Sequence, residues 1–426
     1  MQNILKTIST NRLYILNLGS TFFSQFANAV TLIALTPLLR DSLGMSNFGV
    51  YGVVLNVIAF SVILDFGLNI GLVRKFIHQI EALKALVSTV FFFFISLLFL
   101  LFPIYLLFYF KFLNNSAVSF VHISFFTAII VAQNILAGYF DALIQSQNKV
   151  YVSKFIRAGK LLVELLFILV FLKNISISKI LIITTTVNIA YLASLYLYLK
   201  KEINLQISIK LFSWEALRCH FKYCFWYFFA SLATVLVFNT QIVVLNYYCG
   251  AALAAKYLII IRFFDIIRIA ATNFTQVLFP KIIIEESNQN WVNIKRLFAK
   301  MVLRISLLVL VIFALFYTIG IKVFIAWSKL PDTESLHIYY LYLLFTGFII
   351  IDNVSVVFLS ALKLNRYPTI VSIVQGALCL TSSVVLIQYL GLVGLILACI
   401  GSFIVTNMLF NPLFLIKSIN QRVMNI

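Results

Sequence analysis

Acidic residues are scarce in this chain. Of its 426 residues, 13 are Asp or Glu against 32 Lys or Arg, and charged residues make up only 11%. A soluble domain carries about 25% charge, so a water-soluble fold is excluded. The short alternating segments that mark a membrane β-barrel are missing as well. Cysteine is sparse: Cys219, Cys224, Cys249, Cys379 and Cys399 form no CxxC pair. Cys219, His220 and Cys224 come nearest to a metal cluster but lack a second ligand pair, so neither a metal site nor a disulfide framework is expected. His78, His122, His220 and His337 are scattered at span ends. No span combines a nucleophile with a base, and no P-loop or GxSxG is found. Catalysis and a bound cofactor are therefore not expected. Energy for any transport would come from an ion gradient or from substrate supply.

What is present is apolar. Hydrophobic residues make up 63%, with a mean hydropathy of +1.06. Runs of about 20 apolar residues recur along the chain, which predicts an all-α polytopic membrane protein. Twelve spans are expected, near 13–38, 48–73, 85–110, 118–143, 155–173, 179–199, 222–248, 252–279, 301–327, 336–361, 369–389 and 393–416. At 1.5 Å per residue each can cross about 30 Å of hydrocarbon. The stretch MQNILKTISTNRLYILN leads into an apolar run too long for a signal-peptide core, so the first helix is expected to stay uncleaved.

The net charge of +19 sits in short loops. Placing the N-terminus inside puts Arg12, Arg74, Lys75, Lys149, Lys200, Lys201, Lys281, Lys295 and Lys300 on the inner side. It leaves Arg40, Lys111, Lys173, Lys179 and Lys329 outside. This is the positive-inside pattern, with both termini cytoplasmic, and it removes the need for a nucleic-acid partner. The inner stretches 200–221 and 280–300 mix Trp, Leu, Ile and Lys, as in LFSWEALRCHFKY and NWVNIKRLFAKM. Helices lying along the membrane surface are expected there. Outer loops are too short for a catalytic domain.

The halves resemble each other. LRDSLGMSNFGVY (39–51) aligns with LNYYCGAALAAKY (245–257): a shift of 206 carries Gly44 to Gly250, Tyr51 to Tyr257 and Lys75 to Lys281. A shift of 217 then carries Asn148-Lys149 to Asn365-Arg366 and Lys200 to Lys417. Six spans separate equivalent elements, so the repeat is parallel, two six-helix bundles about an axis along the membrane normal. The expected division is 1–200, a linker 201–221, and 222–426.

Polar residues recur on single helical faces. Span one carries Asn17, Thr21, Ser24, Asn28 and Thr31, with Gln25 on the edge. Span two has Ser61, Asp65 and Asn69; span four has Thr127, Asn134 and Asp141; span ten has Asp352, Asn353 and Ser360. Such faces turn away from lipid, either as glue between helices or as the lining of a cavity. Asp141 also reads as a solvated helix end, and Glu164 as a partner of Lys160 one turn away. Span eight carries a charged face: Arg262, Asp265 and Arg268 fall within an arc of about 120°, which Thr272, Asn273 and Gln276 extend. Asp265 can pair with either arginine, leaving one positive charge. A structural ion triad is a weak stabiliser. A spare guanidinium fork suits an anion, phosphate above all.

Twelve spans, the six-plus-six repeat and LGMSNFGVYGVVLNVIAFSVILDFGLNIGLVRK (43–75) together resemble the polysaccharide-exporter branch of the multidrug/oligosaccharidyl-lipid/polysaccharide (MOP) superfamily, and within it the Wzx-type flippases of O-antigen or capsule repeat units. The resemblance implies a protein of the bacterial inner membrane that moves a polyprenyl-pyrophosphate-linked oligosaccharide from the inner to the outer leaflet by alternating access. Other polysaccharide-assembly membrane proteins are implied as partners. On this reading Arg262 and Arg268 hold the pyrophosphate. Ser24, Gln25, Asn28, Asn69, Asn134 and Gln276 line the sugar path. Asp65, Asp141, Asp265 and Asp352 are the carboxylates for proton or sodium coupling. The rival within the superfamily is a multidrug exporter, whose mostly cationic substrates call for an acidic cavity. A peptidoglycan-precursor flippase would carry two further spans, and a glycan polymerase or glycosyltransferase a long outer loop.

Overall fold

Hydrocarbon leaves an apolar chain one economical solution, in which every backbone N–H and C=O is bonded within its own helix. The computed structural model describes residues 2–76, 83–113, 118–147, 149–203, 207–276 and 279–424, and among these there is no strand. The chain begins with α1 (Gln2–Leu43), then α2 (Met45–Ala59), α3 (Ser61–Leu64) and α4 (Leu68–Phe76). It continues through α5 (Leu83–Leu113), α6 (Val118–Ser146), α7 (Val150–Val170) and α8 (Ile177–Ile203). The second half holds α9 (Trp214–Phe238), α10 (Thr240–Cys249), α11 (Ala251–Gln276), α12 (Phe279–Ser287), α13 (Trp291–Leu315), α14 (Ile321–Ser328), α15 (Thr333–Ala361), α16 (Arg366–Phe403) and α17 (Leu409–Met424).

Eight described segments are long and apolar enough to cross a membrane, and the last of them, Arg366–Met424, bends at Gly391, where φ is 56° and ψ is −135°. That segment therefore supplies two of the expected spans. The spans expected within α5, α7 and α11 are also helical; α7 carries Lys154, Arg157, Lys160 and Glu164, and α11 carries the charged triad. The architecture is that of an all-α polytopic membrane protein.

The chain divides into two compact units. One comprises 1–44 and 54–231, the other 45–53 and 232–426. In the first, α1 packs on α7, and α6 lies against α4 and α8. Its core contains Leu68, Leu72, Val90, Phe94, Tyr139, Leu143 and Leu195. In the second, α15 packs against α11 and α13, and the core contains Ile294, Phe298, Ile305, Val354, Phe358 and Leu415. The opening residues of α2 belong to this second unit because Gly49 lies on α11: a methyl there would collide with the Ala251 carbonyl.

The repeat has a conformational signature. Gly44 joins α1 to α2 with φ 76° and ψ 161°, and Gly250 joins α10 to α11 with φ 84° and ψ 169°. This corner of backbone space is open essentially to glycine alone. Arg366, the counterpart of Lys149, opens α16 just as Lys149 precedes α7. Asn148 lies outside the described residues.

Two expectations are corrected. Span two is broken at Asp65–Gly67, where Phe66 and Gly67 take φ of 50° and 71°. Ser61 and Asn69 thus belong to separate helices, α3 and α4. The inner stretches are separate helices only in part: α12 (Phe279–Ser287) is one, but the rest runs into the spans. Residues 214–223 start α9, and 291–302 start α13. In α13 the buried series Trp291, Ile294, Phe298, Met301, Ile305 and Val309 continues without a Gly or Pro to interrupt it.

The start of α15 is fixed by charge. Asp332 caps it, accepting from the Ser335 backbone N–H and hydroxyl, and pairs with Lys256 of α11 at 2.9 Å. Partial burial works against this carboxylate's charge, but the Lys256 ammonium and the Ser335 donors outweigh it and hold Asp332 below its usual range.

Replacing Gly250 with alanine should cost about 1–3 kcal/mol, read as a lower unfolding temperature in detergent. No side chain crowds either position, so the penalty is conformational, and Gly19→Ala inside α1 should cost nothing. An unchanged midpoint for Gly250→Ala would refute the assignment. Asp332 gives a pH test. A carboxylate with a depressed folded-state pKa stabilises the fold above its unfolded pKa, and that contribution disappears as pH falls through the folded value. Asp332→Asn should be less stable than wild type at neutral pH, and the gap should close on acidification below the usual carboxylate range.

Candidate functional site

The charged face of α11 is built by helical spacing. Arg262, Asp265 and Arg268 sit at i, i+3 and i+6, so one carboxylate stands between two guanidiniums. Arg268 Nη2 donates to Asp265 Oδ1 at 2.7 Å, and Arg262 Nη1 lies 3.6 Å from Asp265 Oδ2. Asp265 is buried, whereas the arginine side chains keep 26% and 30% of their surface exposed. The Arg268 guanidinium also lies over the Phe238 ring, 4.7 Å from its centroid, a cation–π geometry. The carboxylate offsets one guanidinium and leaves the other as a net positive charge. Farther along, Thr272 bonds back to the Arg268 carbonyl, while Asn353 Nδ2 of α15 donates to Thr275 Oγ1. The side chains of Asn273 and Gln276 lie outside the described ones.

A second polar group sits between α15 and α17. Asp352 is buried and accepts from Asn411 Nδ2 at 3.1 and 3.3 Å. The Oδ1 atoms of Asn411 and Asn407 are buried and have no hydrogen-bond partner among the described residues. Asn407 belongs to the single π turn Ile404–Met408 that joins α16 to α17. Such turns cluster at functional positions. Carboxylates and amide oxygens are the donor types that hard cations take.

The other carboxylates differ. Asp65 works as a cap: Oδ1 accepts from the Gly67 N–H at 2.6 Å and Oδ2 from Asn69 Nδ2 at 3.2 Å. Asp141 takes hydrogen bonds from Ser153 of α7 at 2.7 Å and Tyr191 of α8 at 2.8 Å, with Arg157 and Lys154 in electrostatic reach. Glu164 pairs with Lys160 at 3.5 Å, the one-turn pairing its spacing suggests, and accepts from Thr184.

The polar stripe of α1 divides. Asn17 Oδ1 accepts from the Tyr151 N–H at the start of α7, and Thr21 and Thr31 bond back to carbonyls of their own helix. Ser24 is buried; Gln25 and Asn28 are half-buried. Asn134 of α6 is half-buried, and Asn69 Oδ1 is buried without a partner among the described residues. The sequence reading passed over Gln133, Thr185 and Asn188, whose Oε1, Oγ1 and Nδ2 are likewise buried and unpartnered among the described residues. Gln133 Nε2 donates to the Thr185 carbonyl at 3.1 Å, which brings α6 and α8 together there. Their sequence signal was the run Thr184-Thr185-Thr186 followed by Asn188. The i, i+4 pair Asn407 and Asn411 was also visible.

The triad predicts an order of damage. Asp265→Asn leaves two guanidiniums without a counter-charge and should destabilise the protein by on the order of 2 kcal/mol. Arg262→Gln leaves a neutral pair and should cost less than about 1 kcal/mol. Unfolding midpoints of the two variants in one detergent decide, and the reverse order would sink the pairing scheme.

Comparison with protein-family models and with curated protein sequences returns no match. Solved structures do match. A multidrug resistance MATE family transporter of the MOP superfamily, in an inward-facing conformation, aligns with a TM-score of 0.72 at 12% identity over 92% of this chain and 95% of that one. The MATE multidrug transporter DinF-BH, solved in complex with a ligand, aligns at 0.67 and 12% identity, over 95% of both chains. A MOP superfamily transporter from Pyrococcus furiosus Vc1, described by a reverse polarity of its binding pocket that suggests a different function, aligns at 0.58 and 10% identity, over 96% and 94%. Along nearly its whole length, the chain has the fold of the MATE transporters of the MOP superfamily.

Proposed function

We propose that this chain is an ion-coupled membrane transporter that works by alternating access and exports an organic ion. Fold likeness to multidrug transporters over more than nine-tenths of the chain is the observation that carries this reading. No cofactor is needed. The coupling ion is a monovalent cation or a proton taken by Asp352, the buried carboxylate that accepts from Asn411. Asp65 and Asp352 each accept from an asparagine whose amide oxygen is unpartnered among the described residues, and Asp352 is the one whose asparagine follows a π turn. Asp65 is occupied by a helix start, Asp141 by two hydroxyls, and Asp265 by two arginines.

A second reading concerns the cargo. The net positive charge of α11 fits an anionic substrate better than an organic cation. It favours the flipping of a lipid-linked oligosaccharide, whose pyrophosphate would lie on Arg262 and Arg268. The Pyrococcus furiosus transporter pairs a similar fold with a binding pocket of reverse polarity.

One pair of assays separates the two. Proteoliposomes holding the full chain are given a sodium or proton gradient and a fluorescent organic cation; in parallel, lipid-linked glycans are measured by mass spectrometry in cells lacking the gene. Gradient-driven dye movement that Asp352→Asn abolishes supports export of organic ions. Absence of dye movement, with lipid-linked repeat units accumulating and Arg262→Ala or Arg268→Ala reproducing the defect, supports the flippase. No change in either assay overturns both.

A further inference from the structure

The basic residues around the start of α13 fall into two sets. Lys295 donates to Asn420 Oδ1 at 2.8 Å; Arg422 lies 3.9 Å from Glu286 and places its guanidinium over the Trp291 ring at 4.5 Å. Arg296, Lys300 and Arg304 are exposed and have no ion pair or hydrogen bond among the described residues. The neighbouring acids are engaged, Glu285 by Asn293 and Glu286 by Arg422. The three free cations recur at i, i+4 and i+8, so they form a line about 12 Å long on one face. Like charges at this spacing oppose each other and weaken the helix that carries them. A shallow cavity of about 190 Å³ opens along the line, bordered by Asn293, Arg296, Leu297, Lys300, Met301 and Arg304.

Past Arg304 the same face changes character. Leu307, Leu308 and Val311 continue the i+3, i+4 series, with 54%, 38% and 55% of their surface exposed. The opposite face of α13 is spoken for, since it buries Trp291, Ile294, Phe298, Ile305 and Val309. A surface in water gains nothing from the leucine half, and a surface in hydrocarbon gains nothing from the arginine half. One molecule with an anionic head and apolar chains satisfies both.

We propose that this line on α13 binds an anionic phospholipid, with headgroup phosphate on Arg296, Lys300 and Arg304 and acyl chains along Leu307, Leu308 and Val311. Three cations spread over two helical turns favour a headgroup with two phosphates, one per turn. The site is distinct from the charged face of α11, and its occupation does not depend on which cargo the protein moves.

Native mass spectrometry on the purified full chain in detergent tests it. The probes are a diphosphatidylglycerol, a phosphatidylcholine with the same acyl chains, and inorganic pyrophosphate as a headgroup without a tail. The diphosphatidylglycerol should bind at least about tenfold more tightly than the phosphatidylcholine. The triple variant R296Q/K300Q/R304Q should bring it down to the phosphatidylcholine level, while the charge-keeping R296K/R304K should stay within about threefold of wild type. Equal retention by the triple variant overturns the site. Binding of inorganic pyrophosphate as tight as that of the lipid overturns it as a lipid site. If the triple variant fails to fold, wild-type protein decides by salt titration. Weakening at high salt supports the proposal, and salt-independent retention refutes it.

Discussion

In hydrocarbon an unbonded backbone N–H or C=O has no water to turn to, and three departures from regular helix among the described residues are shaped by that constraint. Span two unwinds at Asp65–Gly67, and the freed Gly67 N–H goes to the Asp65 carboxylate. Phe66, a bulky residue at φ 50°, is held there by the rings of Phe93, Phe221 and Phe228, with centroids 5.5–6.0 Å away. At the π turn Phe316–Gly320 the Tyr339 hydroxyl donates to the Phe316 carbonyl at 2.8 Å. At the π turn before α17, Thr406 Oγ1 bonds to the Ser402 carbonyl. Each of these breaks comes with the polar group that satisfies it, so the breaks are parts of the fold.

The same constraint sorts the polar residues inside the spans. Hydroxyls largely satisfy themselves: Thr21, Thr31, Thr36, Thr127, Thr186, Thr240 and Thr346 all bond to a carbonyl four residues back. Such a residue needs no cavity and says little about function. Asn, Gln and Asp in a helix middle reach out for partners instead. Asn17 reaches α7, Gln133 reaches α8, and Asn411 reaches Asp352. A polar stripe read from sequence therefore overstates a site where it is made of threonine and serine, and understates it where it is made of amides.

Much of the fold was legible because bilayer thickness and the positions of Gly44 and Gly250 are written in local sequence. The spans follow from length and apolarity, and the joints follow from a backbone geometry only glycine tolerates. The break at Asp65–Gly67 was harder to see. Its residues, Asp-Phe-Gly, are compatible with a continuous apolar span unless the aromatic cluster around Phe66 is known. The amphipathic starts of α9 and α13 read as surface helices because composition shows a polar face but not that the apolar face continues in register with the span. The surroundings of Asp141 depend on Tyr191, fifty residues away, and no local pattern encodes that contact.

The internal repeat also bears on whether the buried charges are scaffolding. The shift of 206 that carries Gly44 to Gly250 maps Arg262, Asp265 and Arg268 onto Asn56, Ala59 and Val62. The shift of 217 that carries Lys149 to Arg366 maps Asp352 onto Ile135, a buried core residue, and Asp141 onto Phe358, another. At each of these places one half of the molecule forms its helix with uncharged residues while the other half spends a carboxylate or a guanidinium. Helix formation and packing at these positions thus do not require the charge. A charge at mid-bilayer carries a cost of roughly 2.5–3.5 kcal/mol, and a triad with one unneutralised arginine offsets only part of it. That cost is borne by one half and avoided at the matching positions of the other. The repeat therefore marks α11 and Asp352 in the second unit, and Asp141 in the first, as places where the two halves differ in charge while keeping a common helical pattern.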